Sequence, residues 1–171
     1  MRSFLLIAQV FGLLGVIFYL LSFQFKKRSG ILLVNTISRV FYVLQSLFLG
    51  AFDGMAMDLL GLISALLAGL TKPLSRIQKA VIFLTINLAI LATGFVLYRN
   101  LFSLLAIAAI LLETTALWLQ NERYLRILSL LSAPLWLIYN LSALAFGSAL
   151  GNALAILSLS IAMVRFDRSR S

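Results

Sequence analysis

Long apolar runs, separated by short connections that carry most of the charge, fill almost the whole chain. Each run is close to the ~20 residues that an α-helix needs to cross ~30 Å of hydrocarbon. This pattern predicts an all-α, polytopic membrane protein. Its seven predicted transmembrane helices lie at residues 4–25, 31–50, 54–71, 80–98, 101–120, 127–146 and 148–165.

Composition indicates the same class of protein. The 171 residues are 63% hydrophobic and 11% charged, and the mean hydropathy is +1.09. A soluble protein of this composition would lack a polar surface. We therefore expect a single integral membrane domain over residues 1–171, with the lipid bilayer as its partner.

The basic residues are concentrated on one side of the predicted membrane. Eleven of the fourteen Lys and Arg residues are assigned to this side: Lys26, Lys27, Arg28, Lys72, Arg76, Lys79, Arg123, Arg126, Arg165, Arg168 and Arg170. The opposite side keeps only Arg2 and Arg99. Short loops rich in Lys and Arg stay in the cytoplasm, so the N-terminus is predicted outside and the C-terminus inside. The net charge of +9 comes from these juxtamembrane clusters and not from a separate basic domain, so we expect no nucleic-acid partner.

Two predicted hairpins share a spacing. Residues 51–54 and 146–147 leave room only for turns, so helices two and three, and six and seven, are expected to be antiparallel neighbours. Four residues of the first hairpin recur 97 positions later, and Gln24 matches Gln120 with one residue of slack. The recurring pairs are Tyr42 and Tyr139, Gly50 and Gly147, Gly54 and Gly151, and Ala56 and Ala153. They reflect either an internal duplication or coincidence in a chain rich in Gly and Ala.

A duplication over four helices gives two copies that cross the membrane in the same direction. The result is a 3+1+3 parallel repeat, with three-helix bundles at 1–71 and 101–171 and a connector helix within 72–100. This layout resembles the SWEET sugar transporters and their PQ-loop relatives, and that resemblance implies alternating access around a midplane site. The chain departs from the SWEET pattern because it has no Pro-Gln dipeptide and only one intramembrane proline, Pro134.

A second resemblance covers most of the chain. It rests on the opening AQVFGLLGVIFYLLSFQFKKR and on the hairpins SLFLGAFDGMAMD and LWLIYNLSALAFGSALGN. Over residues 8–70 and 134–168 the chain resembles the YgjV-type family of bacterial inner-membrane proteins. The resemblance implies a multi-pass protein of the bacterial inner membrane.

Little in the sequence indicates catalysis. Cys and His are both missing, which removes thiol chemistry, the commonest metal ligand and the commonest general base. The intramembrane carboxylates Asp58 and Glu113 lie on separate helices and differ by ~12 Å in depth. We expect a protein that is not an enzyme and that binds no cofactor.

Three ionisable side chains fall within the predicted hydrocarbon zone: Arg39, Asp58 and Glu113. Arg39 lies ~17 Å and Glu113 ~18 Å from the outer ends of their helices, so both occupy the same level. An unpaired charge at that depth is costly, and we predict an ion pair between Arg39 and Glu113. Asp58, at ~6 Å, could reach water or receive Arg39. The pair would either gate a cavity, with Glu113 taking up protons, or act as a structural staple.

Polar side chains form stripes on two helices. Helix two carries Asn35, Ser38, Arg39, Tyr42, Gln45 and Ser46, and helix six carries Ser132, Trp136, Tyr139, Asn140 and Ser142. Facing stripes would line a pathway for a small polar solute, whereas separate stripes would only form hydrogen bonds between helices. The SWEET resemblance adds Asn152 as a substrate contact. The predicted pathway is Arg39, Tyr42, Gln45, Asp58, Glu113, Trp136, Tyr139, Asn140 and Asn152.

The sequence thus predicts a transporter of a small polar solute that works by alternating access between two three-helix bundles. The alternative is a membrane scaffold or assembly protein in which the polar residues only hold helices together. Small residues would also permit a homo-oligomer. A water-filled cavity at the level of Arg39 and Glu113 would favour the transporter.

Overall fold

A computed structural model describes residues 2–70, 74–119 and 121–166, and this part of the chain is entirely helical apart from its turns. The helices are α1 (Arg2–Phe23), α2 (Arg28–Leu49), α3 (Phe52–Leu70), α4 (Arg76–Val96), α5 (Leu101–Trp118), α6 (Glu122–Ser142) and α7 (Phe146–Phe166). All seven are long and apolar enough to cross a membrane. The predicted all-α class is confirmed. The predicted positions Lys72, Gln120, Arg168 and Arg170 lie outside the described residues.

Local capping sets several helix ends away from their predicted positions. Ser75 and Gln78 form a reciprocal capping box, so α4 begins at Arg76 instead of residue 80. The Asn121 side chain accepts from the Arg123 N–H, which starts α6 at Glu122 instead of residue 127. At its other end α6 stops at Ser142, and Leu144 adopts a left-handed φ of 58° in the following turn. The apolar residues of this turn resembled helix in the hydropathy pattern.

Six helices form a closed ring, and the seventh packs outside it. Around the ring α1 contacts α2, α2 contacts α3, α3 contacts α5, α5 contacts α6, α6 contacts α7, and α7 contacts α1. α4 packs against α3 and α5. Both predicted hairpins, α2 with α3 and α6 with α7, are therefore confirmed. The contacts among α1, α2 and α3 are repeated among α5, α6 and α7.

Polar and apolar residues are distributed inversely to those of a soluble protein. Large apolar side chains point outward, as on α4, where Ile77 and Phe95 are exposed. Inside the ring Ser38, Gln45 and Arg39 are buried. A lipid-facing exterior and a partnered polar interior are the arrangement that a bilayer requires.

The two ends of the ring differ in character. We call the end with the connections at 50–51, 97–100 and 143–145 the turn end. The opposite end, with the connections at 24–27 and around 74–75, is called the basic end because Lys26, Lys27, Arg76 and Lys79 lie there.

The register between the two hairpins differs from the predicted 97 residues. α6 begins 94 residues after α2, from 28 to 122, and α7 begins 94 residues after α3, from 52 to 146. Gly50 is the left-handed C-cap of α2, with φ 66°, whereas Gly147 lies inside the first turn of α7. Residues paired at an offset of 97 therefore lie three positions apart within their helices, and the 97-residue pairing does not match the structure.

A polar cavity inside the helix ring

The predicted ion pair lies at the centre of the site. Arg39 on α2 donates through Nη2 to Glu113 on α5, and both side chains are buried. Arg39 Nε also donates to Asn35 Oδ1 at 3.1 Å. Glu113 Oε1 accepts from the hydroxyls of Tyr19, at 3.2 Å, and Ser132, at 3.1 Å. The pair therefore joins four helices and has the hydrogen bonds that a buried charge needs.

A glycine makes room for the guanidinium. A methyl group at Gly61 on α3 would collide with Arg39 Nη1 and with Ile110 of α5. Likewise, a methyl group at Gly12 on α1 would collide with Gln45 of α2, and one at Gly15 would collide with Tyr42. Small residues thus let the polar side chains of α2 lie between closely packed helices, as in many membrane interfaces.

A cavity lies beside the pair, inside the ring. Seven predicted pathway residues line it: Arg39, Tyr42, Asp58, Glu113, Trp136, Asn140 and Asn152. Four others line it that were not in the predicted pathway: Tyr19, Asn35, Ser38 and Ser148. Its volume of about 20 Å³ is room for roughly one water molecule. Side chains of both polar stripes, on α2 and α6, face this space.

Two of the buried polar groups of the cavity have no hydrogen-bond partner among the described residues. Asp58 is 8% exposed and makes no hydrogen bond or ion pair with any described residue. The charges of Arg39 and Glu113 act on it from the same cavity. The hydroxyl of Tyr42 is buried and likewise lacks a hydrogen-bond partner in the described part of the chain. Both groups are free to bind a molecule in the cavity.

Two predicted pathway residues, Gln45 and Tyr139, lie outside this cavity. Gln45 accepts from the hydroxyl of Ser148, which does line it, so Gln45 supports the wall. Tyr139 lines a second cavity of about 130 Å³ at the turn end. Its hydroxyl is buried beside Asp53 and Gly54 without a well-formed hydrogen bond to a described residue.

The second cavity is polar and partly open. Asp53 accepts from Ser103 Oγ at 3.0 Å, and Arg99 Nη1 lies 4.0 Å from Asp53 Oδ1. Trp136 of the first cavity and Tyr139 of the second are one helical turn apart, with ring centroids 5.7 Å from each other in a T-shaped contact. Each cavity is thus lined by one ring of this aromatic pair.

The sequence profile of a family described as bacterial inner membrane protein, Imp-YgjV, matches residues 6–170. The chain belongs to the Imp-YgjV family. It is therefore a multi-pass protein of the bacterial inner membrane, in agreement with its seven apolar helices. No curated protein and no solved structure matches it.

Toward the basic end, the interior of this Imp-YgjV protein holds two buried apolar clusters together with the buried side chain of Arg126. Tyr19, Phe23 and Leu159 belong to one buried cluster, and Ile31 and Leu125 belong to another. The polar cavity has Asn140, Ser148 and Asn152 on the turn-end side of the ion pair and Asn35 one helical turn from Arg39 on the basic-end side.

Two cavity residues, Tyr19 and Ser148, were not predicted from the sequence. Only Tyr19 could have been predicted. Tyr19 lies four residues from the end of α1 and Glu113 five from the end of α5, both at the basic end. Comparing the depths of tyrosines as well as of charged residues would have predicted that Tyr19 lies near Glu113. Ser148 carried no such signal, because serine is common at packed interfaces in membrane helices.

Proposed function

We propose that this inner-membrane protein carries a small polar solute across the bilayer by alternating access between its two halves. The supporting observation is the polar cavity inside the ring. It is walled by α1, α2 and α3 from the first half and by α5, α6 and α7 from the second. Concave sites with a few convergent polar groups are the usual form of a binding site for a small molecule.

The cavity in this conformation is too small for most solutes, so carriage requires the halves to move apart. The Arg39–Glu113 pair connects α2 to α5 and thus one half to the other. Trp136 and Tyr139 close the route to the turn end, and the apolar clusters close the route to the basic end. In the proposed cycle the turn-end closure and the basic-end closure open alternately, so that one of them is always shut.

We further propose that the turn end faces the periplasm and the basic end faces the cytoplasm. This orientation follows the positive-inside rule. It places the N-terminus outside and the C-terminus inside, and the second cavity then opens to the periplasm. The repeated contacts of α1–α3 in α5–α7 support a 3+1+3 parallel repeat as the origin of the two halves.

The proposal is of a carrier and not of an enzyme. The sequence lacks His and Cys, and the carboxylates of the cavity serve other purposes. Glu113 is engaged by Arg39, Tyr19 and Ser132. Asp58 has no nucleophile or base within hydrogen-bonding distance among the described residues, which is the pairing that covalent or acid–base catalysis would use.

One observation favours the alternative of a scaffold or assembly protein, alone or as a homo-oligomer. The Arg39–Glu113 pair is buried, and each of its members has at least one further hydrogen bond. A pair so well satisfied can hold four helices in register without ever opening. The two functions differ in whether water from either side reaches the cavity.

Cysteine accessibility separates the two functions, and the cysteine-free sequence provides the background. Ser38→Cys replaces a cavity hydroxyl with a thiol of similar size, and Val40→Cys places a thiol on the lipid-facing side of the same helix. A carrier should show labelling of Ser38→Cys, but not Val40→Cys, by a membrane-impermeant thiol reagent. Labelling from both sides of the membrane, measured in vesicles of opposite orientation, would support alternating access.

A second matched pair tests the opposite wall of the cavity. Ser148→Cys lines the cavity on α7, and Leu150→Cys is lipid-facing on the same helix. If the folded protein protects both Ser38→Cys and Ser148→Cys from either side, the cavity is dry. That result would reject the carrier and favour the scaffold.

A further inference from the structure

The charged groups that line the cavity do not balance. Arg39 supplies one positive charge, and Glu113 and Asp58 supply two carboxylates. Arg39 is already paired with Glu113. The carboxylate that remains is Asp58, which faces the cavity without a partner among the described residues. A ligand that carries a positive charge would balance the site, whereas an anion would add a further negative charge beside Asp58.

The neutral groups around Asp58 suit the N–H donors of an ammonium ion. The Nδ2 of Asn152 donates to the Ser148 carbonyl of its own helix at 2.9 Å. A carbonyl can only accept, so the amide orientation is fixed and Oδ1 of Asn152 remains as an acceptor. The unpartnered hydroxyl of Tyr42 can accept as well. Three acceptors from three helices, α2, α3 and α7, match the three donors of a primary ammonium group.

Aromatic rings supply the rest of the wall. Tyr19, Tyr42 and Trp136 all line the cavity, and the rings of Tyr19 and Tyr42 meet edge to face with centroids 6.1 Å apart. Aromatic faces attract organic cations through the ring quadrupole, most strongly where water is excluded. A carboxylate beside several aromatic rings distinguishes an alkylammonium ion from a neutral polar solute.

We propose that the cavity binds a small organic ammonium ion, with Asp58 as the counter-charge and Asn152, Tyr42 and Trp136 as further contacts. This inference rests on the proposed carrier function and names the class of its solute. The volume of about 20 Å³ limits the ligand of this conformation to one or two heavy atoms. Methylammonium, with two heavy atoms, is the smallest organic probe of this class.

Trp136 allows binding to be measured directly. The sequence has two tryptophans, and the other, Trp118, lies outside the cavity, where it donates to Ser64. In a Trp118→Phe background, the fluorescence of Trp136 in the full purified chain reports on the cavity. Titration with methylammonium chloride should give a saturable change, and equal concentrations of sodium chloride or methanol should not.

Substitutions test whether Asp58 is the counter-charge. Asp58→Asn keeps the shape of the side chain and should weaken methylammonium binding by at least about tenfold. Glu122→Gln removes an acidic side chain at the start of α6, outside the cavity, and should leave binding unchanged. If Asp58→Asn does not fold, Asn152→Asp gives the converse test, because a second carboxylate in the cavity should tighten binding severalfold.

Several outcomes would overturn the proposal. They are a methanol response equal to that of methylammonium, saturation by sodium chloride alone, and binding that is insensitive to both Asp58→Asn and Asn152→Asp. The thiol labelling described above distinguishes which idea has failed. Labelling of Ser38→Cys without methylammonium binding rejects only the class of solute. Absence of labelling rejects the aqueous route and the carrier with it.

Discussion

Asp58 on α3 and Asn152 on α7 hold equivalent positions in the two halves of the ring. Each lies six residues after the start of its helix, from 52 to 58 and from 146 to 152, and each lines the central cavity. Their separation of 94 residues equals the offset between the helix starts. The two side chains therefore occupy corresponding positions on α3 and α7, but only Asp58 is a carboxylate.

This equivalence predicts that the carboxylate can be moved. The exchange variant Asp58→Asn/Asn152→Asp restores one negative charge to the cavity from the opposite wall. We expect it to recover much of the methylammonium binding that Asp58→Asn loses, as measured by Trp136 fluorescence. A double variant no better than Asp58→Asn alone would show that the two positions are not interchangeable.

The Arg39–Glu113 pair is expected to be essential for stability. Glu113→Gln leaves Arg39 buried without its counter-charge and should cost about 3–5 kcal/mol of unfolding free energy. The variant Arg39→Gln/Glu113→Gln removes both charges and should lose less than the sum of the single substitutions. Unfolding in mixed micelles measures this cycle. Additive losses would contradict the direct coupling.

The partly exposed pair at the turn end provides a control. Arg99 is half exposed and 4.0 Å from Asp53, so Arg99→Gln should cost no more than about 1 kcal/mol.

Gly61 is predicted to be intolerant of a side chain. Gly61→Ala would force a methyl group against Arg39 and Ile110, and overpacking of this kind costs roughly 1–3 kcal/mol. Gly69 lies on the same helix, and a methyl group there would meet no described atom within 4 Å. Gly69→Ala should therefore lie within about 1 kcal/mol of the parent protein. Thermal unfolding of the two variants side by side makes the comparison, and equal stabilities would contradict the packing.

Tyr139 is predicted to control access from the turn end. Tyr139→Ala removes the ring of the second cavity that packs against Trp136 of the first. Labelling of Ser38→Cys by an impermeant reagent from the turn-end side should become severalfold faster. Tyr124→Ala provides the control, because Tyr124 is an exposed tyrosine of the same helix. Unchanged labelling in Tyr139→Ala would place the barrier elsewhere.

The proposed orientation is tested with thiols in two connections. Leu144→Cys lies in the α6–α7 turn at the turn end, and Lys27→Cys lies in the α1–α2 connection at the basic end. In intact cells with a permeabilised outer membrane, an impermeant reagent should label Leu144→Cys at once. Lys27→Cys should react only after the inner membrane is disrupted. The opposite pattern would reverse the orientation and make the cavity open to the cytoplasm.

Local features of the sequence determined the class of protein, the number of helices and the two hairpins. Apolar length and tight connections act within single segments, so they can be read without knowing the fold. The Arg39–Glu113 pair was also predictable. Depth along a helix follows from residue number, and two opposite charges at one depth in hydrocarbon have a strong reason to meet.

The tertiary structure decided which side chains share the cavity. That outcome depends on how each helix is rotated about its axis, which the close contacts at Gly12, Gly15 and Gly61 help to set. The rotation of the helices placed Tyr139 in a separate cavity and Tyr19 beside Glu113. The helix starts, which differ by 94 residues, give Asp58 and Asn152 corresponding positions on α3 and α7. Polar spacing along one helix gives the relative position of its residues, but packing between helices fixes the direction in which they point.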